Sequence, residues 1–284
     1  MDFYEVPVAG GVLRVARWGD GPVVLGIHGI TASSMSLAPV ARHLPEHRLL
    51  APDLRGRGAS NALPGPFGMA AHAADCAAVI EHAGGGPAVV IGESMGGFVA
   101  AVLAATRPEL VERVILVDGG LVPHVAPQVD DVDATMEAVL GPAIARLSQI
   151  FPSQEPYLDF WRAHPAVSEE WNDDVEAYLA YDLEPADGGF RSRVSAAAVR
   201  ADSEDTLVRT SSIADALERL SCPVHLLRAP RNLLNQPTPL ISDDLVEEWR
   251  AVLTSEEMVA DTNHYTIVLG ERGAKTIAER VVSG

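Results

Sequence analysis

The sequence predicts a doubly wound, mostly parallel α/β sheet with an inserted helical cap. Three observations carry this: short apolar runs that each end in Gly, Pro or Asp, helical patterns between several of them, and one long stretch, from about Pro123 to about Thr210, with helical patterns and no convincing strand. The expected organisation is a core formed by residues 1–122 and 211–284, with residues 123–210 packed on it as a cap.

Taken in order, residues 3–17, FYEVPVAGGVLRVAR, alternate around an Ala-Gly-Gly turn and predict an antiparallel hairpin. The runs at 22–29, 47–56, 87–97, 111–120 and 223–230 are rich in β-branched residues, as expected of strands buried on both faces. Helical patterns lie at 36–44, 70–83, 97–108 and 242–253. Strand alternating with helix gives a sheet whose ligand sites sit at the carboxyl ends of strands.

Bulk properties narrow the function. The chain has 284 residues, 48% hydrophobic and 21% charged, enough to bury a full core. A formal net charge of −18 would repel a nucleic-acid backbone or an anionic membrane surface, so neither is expected as a partner. The two cysteines, Cys76 and Cys222, lack metal-ligand spacing and a disulfide framework, which fits a reducing cytoplasm. The start MDFYEVPVAGG lacks the basic and apolar blocks of a secretory signal, and no run approaches the ~18 apolar residues of a membrane span. A cytoplasmic monomer or homodimer is expected.

The sharpest chemical signal is GESMG, residues 92–96. Gly-x-Ser-x-Gly after a buried strand and before a helix describes a tight turn that exposes Ser94 at the sheet top, beside a helix N-terminus that favours negative charge. A serine hydroxyl needs a base. Of nine histidines, His43, His47, His72 and His82 fall in or beside expected surface helices, and His225 lies within a strand. His124 and His164 lie near or in the insertion, as candidate substrate contacts. His264 in DTNHYTIV differs, following the last strand-like run in a loop that should share the sheet edge of Ser94.

Here the chain resembles the α/β-hydrolase superfamily over nearly all of its length outside the insertion. The resemblance rests on His28-Gly29 after the third strand, PDLRGRGAS at 52–60, GESMGG at 92–97 and NHYT at 263–266. It implies Ser94 as nucleophile, His264 as base, and an oxyanion hole from the backbone N–H groups of Ile30 and Met95. Asp53, Arg55, Gly56, Arg57 and Gly58 are expected to hold a turn, His28 to brace the oxyanion loop, and Glu93 to be structural and to point away from the serine.

The third catalytic member is less plain. Most members of this family carry an Asp after the penultimate strand, where this chain reads APRNLLNQ with Asn232. The next acids, Asp243 and Asp244, follow Ser242 and suit the first turn of a helix. Exchanging the triad Asp for Asn in a serine protease lowers turnover about 10⁴-fold, so a neutral member is a heavy handicap. Asp118, in VERVILVDGG, ends the strand after the nucleophile helix, where some α/β hydrolases keep their acid. Asp118 is therefore preferred over Asn232 or a triad without a charged third member.

A serine at position 94 points to acyl transfer without cofactor or metal: hydrolysis of a carboxylic ester or lactone with an apolar or aromatic substituent. The alternatives are carbon–carbon bond hydrolysis of a ring-opened aromatic diketone, and a non-catalytic ligand-binding receptor on the same fold. The insertion carries Met136, Phe151, Tyr157, Phe160, Trp161, Trp171, Tyr178, Tyr181 and Phe190. Trp161 and Trp171 are expected to contact a small apolar substrate.

Overall fold

Strand alternation decides how the core divides. In the computed structural model, which describes residues 1–126 and 128–283, the strands are β1 (Asp2–Val8), β2 (Gly11–Trp18), β3 (Val23–Ile27), β4 (Arg48–Pro52), β5 (Ala88–Glu93), β6 (Val111–Val117), β7 (Leu183–Ala186), β8 (Gly189–Ser192), β9 (Val224–Arg228) and β10 (Ser255–Met258). Eight form one sheet in the order β1-β2-β4-β3-β5-β6-β9-β10. The β1–β2 hairpin and the β2–β4 pair are antiparallel and the remaining pairs parallel.

Successive residues of a strand face opposite sides. Leu25, Val90, Val114, Leu116 and Leu226 accordingly pack with helices Met69–His82, Met95–Thr106 and Ser211–Glu218. Val24, Val89, Ile91, Ile115, Val117 and Leu227 pack on the other face, where Ala38–Arg42, Thr266–Leu269 and Glu271–Ser283 lie. The sheet order reverses direction between β3 and β5, and the carboxyl ends of these neighbours open the crevice where ligands bind in such folds.

Between β6 and β9 the chain builds helices Val132–Leu140, Pro142–Ala145, Gln154–Arg162, Asp173–Tyr181 and Ala196–Leu207. It also builds the β7–β8 hairpin, which corrects the expectation of an insertion without strands. Pro185 disguised it, since proline weakens a strand pattern, yet a two-stranded ribbon leaves an edge where the missing N–H costs nothing. Asp187-Gly188 at its tip is the residue pair that a tight hairpin turn favours.

Buried polar contacts tie this segment to the sheet. Asp202, on Ala196–Leu207, pairs with Arg57 and lies 3.0 Å from His72 Nε2, all three side chains being fully buried. His72 is thus corrected from an expected surface position to an interior one. Burial works against the charged form of Asp202, but Arg57 and His72 outweigh it and lower its pKa. Arg146 Nη2 donates to the Thr31 carbonyl at 2.7 Å, and the Tyr181 hydroxyl donates to Asp53 at 2.6 Å. Asp53 also accepts the amides of Ser34 and Ala59, holding the turn after β4.

Candidate active site

Every residue of β5 is buried, and the chain leaves it through a strained turn. Ser94 has φ 52° and ψ −119°, a left-handed conformation that L-residues rarely adopt, and helix Met95–Thr106 begins at the next residue. Glycine at 92 and 96 permits this. A Cβ on Gly92 would sit 2.3 Å from the Gly96 carbonyl oxygen, and one on Gly96 would sit 2.1 Å from that of Ile27. The turn therefore presses on the end of β3.

Three side chains from distant parts of the chain meet there. His264 Nε2 lies 3.1 Å from Ser94 Oγ, and His264 Nδ1 lies 2.7 Å from Asp118 Oδ2. With Nδ1–H donated to Asp118, Nε2 is left to accept the serine proton. The other oxygen of Asp118 accepts the Ala229 amide at 3.0 Å, so the carboxylate is shared between the end of β9 and the imidazole. Burial opposes the charged ring of His264, but the hydrogen bond and charge of Asp118, with the charge of Glu93, overcome that and raise its pKa. The adjoining loop is held by Asn263, whose Oδ1 accepts the amides of Tyr265 and Thr266 and whose Nδ2 donates to Ala166 O at 3.0 Å.

Asn232 is occupied within its own loop. Its Oδ1 accepts the amides of Leu234 and Gln236 at 2.9 and 3.2 Å, and its Nδ2 donates to Gln236 Oε1 at 3.1 Å. Three other histidines have separate partners. His225 pairs with Ser255, His124 stacks on Trp249, and His164 packs against Trp161 and Tyr265.

The loop after β3 is braced from both sides. Burial lowers the pKa of His28 to about 3, so its ring is neutral, donating from Nδ1 to Gly29 O and accepting the Leu54 amide at Nε2. Arg57 Nε donates to Ile30 O at 3.0 Å. Among the described residues, no carbonyl or side chain accepts from the amide of Ile30 or of Met95, and both residues line the space beside Ser94. Two free amides beside a hydroxyl can stabilise a developing oxyanion. Among the described residues no cluster of His, Cys, Asp and Glu could hold a metal ion.

Two cavities open at Ser94 and His264. The larger, of about 220 Å³, has walls from Phe98, Leu121, Met136, Leu140, Leu207 and Leu245. The smaller, about 40 Å³, is bounded by Ile30, Glu93, Tyr178, Leu233, Tyr265 and Val268. Glu93 is corrected here: its carboxyl faces the smaller cavity, with Oε1 3.7 Å from His264 Nε2. The reversal of the chain at Ser94 swings the preceding side chain under Gly29, whose missing Cβ leaves room for it.

Trp161 and Trp171 are likewise corrected, because neither lines these cavities. Trp161 is 2% exposed, with the Arg146 guanidinium 5.2 Å above its ring and Tyr265 packed edge-on. Trp171 donates from Nε1 to Glu176 and packs beneath Arg162. Trp161 thus packs between the insertion and the loop of Tyr265, and Trp171 packs within the insertion. The insertion's walls on the larger cavity come from Met136 and Leu140, four residues apart, and from Ser203, Thr206 and Leu207, and on the smaller from Leu140 and Tyr178. Their helical spacing was the available signal, which the aromatic content obscured.

Comparison with known proteins agrees with this architecture. The profile of the alpha/beta hydrolase fold matches residues 22–146. The lipase LipV of Mycobacterium tuberculosis is 40% identical over 138 residues, covering 47% of this chain and 52% of that protein. The 2-(acetamidomethylene)succinate hydrolase of Mesorhizobium japonicum is 29% identical over 188 residues, covering 66% and 64%. The chain thus spans about half to two-thirds of the length of these curated relatives. A crystal structure of E-2-(acetamidomethylene)succinate hydrolase superposes with a TM-score of 0.80 at 22% identity, covering 100% of this chain and 99% of that one, which is a likeness of fold. With the sheet order, the turn at Ser94 and the matching profile in agreement, the chain has the α/β-hydrolase fold.

Proposed function

We propose that this hydrolase cleaves a carboxylic ester or lactone with an apolar or aromatic substituent, through an acyl-enzyme on Ser94. The observation that carries the reading is the hydrogen-bonded chain Ser94–His264–Asp118 at the mouth of an apolar cavity. Ser94 Oγ attacks the carbonyl carbon as its proton passes to His264 Nε2, and the Ile30 and Met95 amides hold the oxyanion. Collapse expels the alcohol, which takes the proton from His264. Water, deprotonated by the same nitrogen, then releases the acid and restores the serine. Asp118 holds the ring and balances its positive charge while Nε2 carries the proton.

Of the relatives' named activities, lipase agrees better with apolar cavity walls than hydrolysis of a succinate derivative. Residues 123–210 act as the cap that closes the larger cavity, and a cytoplasmic location accords with two free cysteines. No described helix is long and apolar enough to cross a membrane.

The test is covalent labelling by a fluorophosphonate together with a screen over p-nitrophenyl esters, aryl lactones and ring-fission diketones. Wild type should be labelled and should hydrolyse esters or lactones, and Ser94→Ala should lose the label and about 10⁵ in turnover. Equal labelling of the two proteins removes the nucleophile, and turnover of diketones alone moves the reaction to carbon–carbon cleavage.

A further inference from the structure

Glu93 is absorbed by none of the steps above, although it sits beside them. Its side chain is 7% exposed and faces the smaller cavity, and the nearest charged partner is the ring of His264 at 3.7 Å. The other groups that face it are Asp118 beyond the imidazole and the Tyr265 hydroxyl, with Tyr178 on the same cavity wall. No Lys or Arg lines either cavity among the described residues. A carboxylate entering the smaller cavity would therefore meet a second carboxylate and no balancing cation.

We infer that Glu93 is a specificity-determining residue that excludes carboxylate-bearing substrate groups from the smaller cavity, so that the esters this site takes are neutral there. The inference rests on the ester-hydrolase reading. It also carries a signature in pH. Burial raises the pKa of Glu93 to about 7, against the His264 ring and the Gly29 backbone, which favour its charged form. The repulsion is then absent below pH 7 and present above it. Like charges about 7 Å apart at an effective dielectric of about 20 give roughly a 50-fold penalty. His264 must be neutral to act as base, but that requirement is common to all substrates and cancels in a ratio of kcat/KM values.

Two matched pairs of esters form the test. One places the charge on the acyl side, p-nitrophenyl pentanoate against mono-p-nitrophenyl succinate; the other places it on the leaving group, p-nitrophenyl butyrate against its 3-carboxy derivative. In wild type the neutral-to-anionic ratio for the pair seated in the smaller cavity should rise roughly 8-fold from pH 6 to pH 8, because about a tenth of Glu93 is still protonated at pH 8. In Glu93→Gln that rise should vanish. Each ratio is taken within one preparation, so a partly folded variant does not distort it. Ratios that are flat with pH in wild type, or a rise that survives in Glu93→Gln, overturn the inference and leave the hydrolase reading intact. Hydrolysis of none of the four esters by wild type removes the ester reading and the inference with it.

Discussion

Below Ser94 the site is held by single donors and acceptors, whereas the walls beside it are mostly apolar, with Met136, Leu140 and Leu207 from the insertion and Phe98, Leu121 and Leu245 from outside it. In the floor the triad atoms have assigned partners: Asp118 serves Ala229 with one oxygen and His264 with the other. A hydrogen bond fails within a few tenths of an ångström of its optimum, so such a floor tolerates few substitutions. Dispersion and apolar burial have no direction, so the walls can change shape while still closing the cavity. The proposed function thus ties chemistry to the sheet and substrate range to the cavity walls.

The sharpest break in the floor is Asp118→Asn. The amide can still accept the Ala229 N–H, so the fold should hold, but turnover should fall about 10³–10⁴-fold because the imidazolium loses its counter-charge. The raised pKa of His264 should fall as well, moving the rising limb of kcat/KM to lower pH. Turnover close to wild type in this variant, with collapse in Asn232→Ala, would return the third role to Asn232.

Trp161→Ala probes the insertion where it is core rather than wall. Truncating a fully buried indole should cost about 3–5 kcal/mol of stability, read by chemical denaturation, while KM for short esters changes by less than about 3-fold. A large KM change with unaltered stability would put the ring back against substrate. Leu207→Phe adds volume on the larger cavity, so kcat/KM for octanoyl esters should drop about 10-fold relative to acetyl esters. An unchanged chain-length profile would mean the acyl group lies elsewhere. The smallest effect on turnover belongs to Asn232→Ala, which loses three exposed loop bonds, each worth about 1 kcal/mol or less, and should alter turnover by less than about 3-fold.

The same contrast explains what was legible in the chain. The strands announced themselves because a parallel sheet covered on both faces demands uninterrupted apolar runs, and the turn at Ser94 because only glycine fits at 92 and 96. Both leave their mark within one short segment, although the contact that requires glycine at 96 is with Ile27 of β3. The β7–β8 hairpin escaped because Pro185 masks a strand wherever pairing partners are unknown. Glu93 escaped because the direction of its side chain depends on space left by Gly29, which is 64 positions away in sequence.

By itself the sequence determined a wound α/β sheet, a strained serine turn and a late histidine loop, since each rests on spacing within one segment. Tertiary structure alone decided which acid faces His264, which way Glu93 points, and that Trp161 is buried in the insertion while Leu207 meets the cavity. Those are contacts between segments distant in sequence, or directions set by such contacts: Glu93 and Gly29 are 64 positions apart, Asp118 and His264 146. A hydrogen bond or a cavity wall depends on distances that spacing along the chain does not encode.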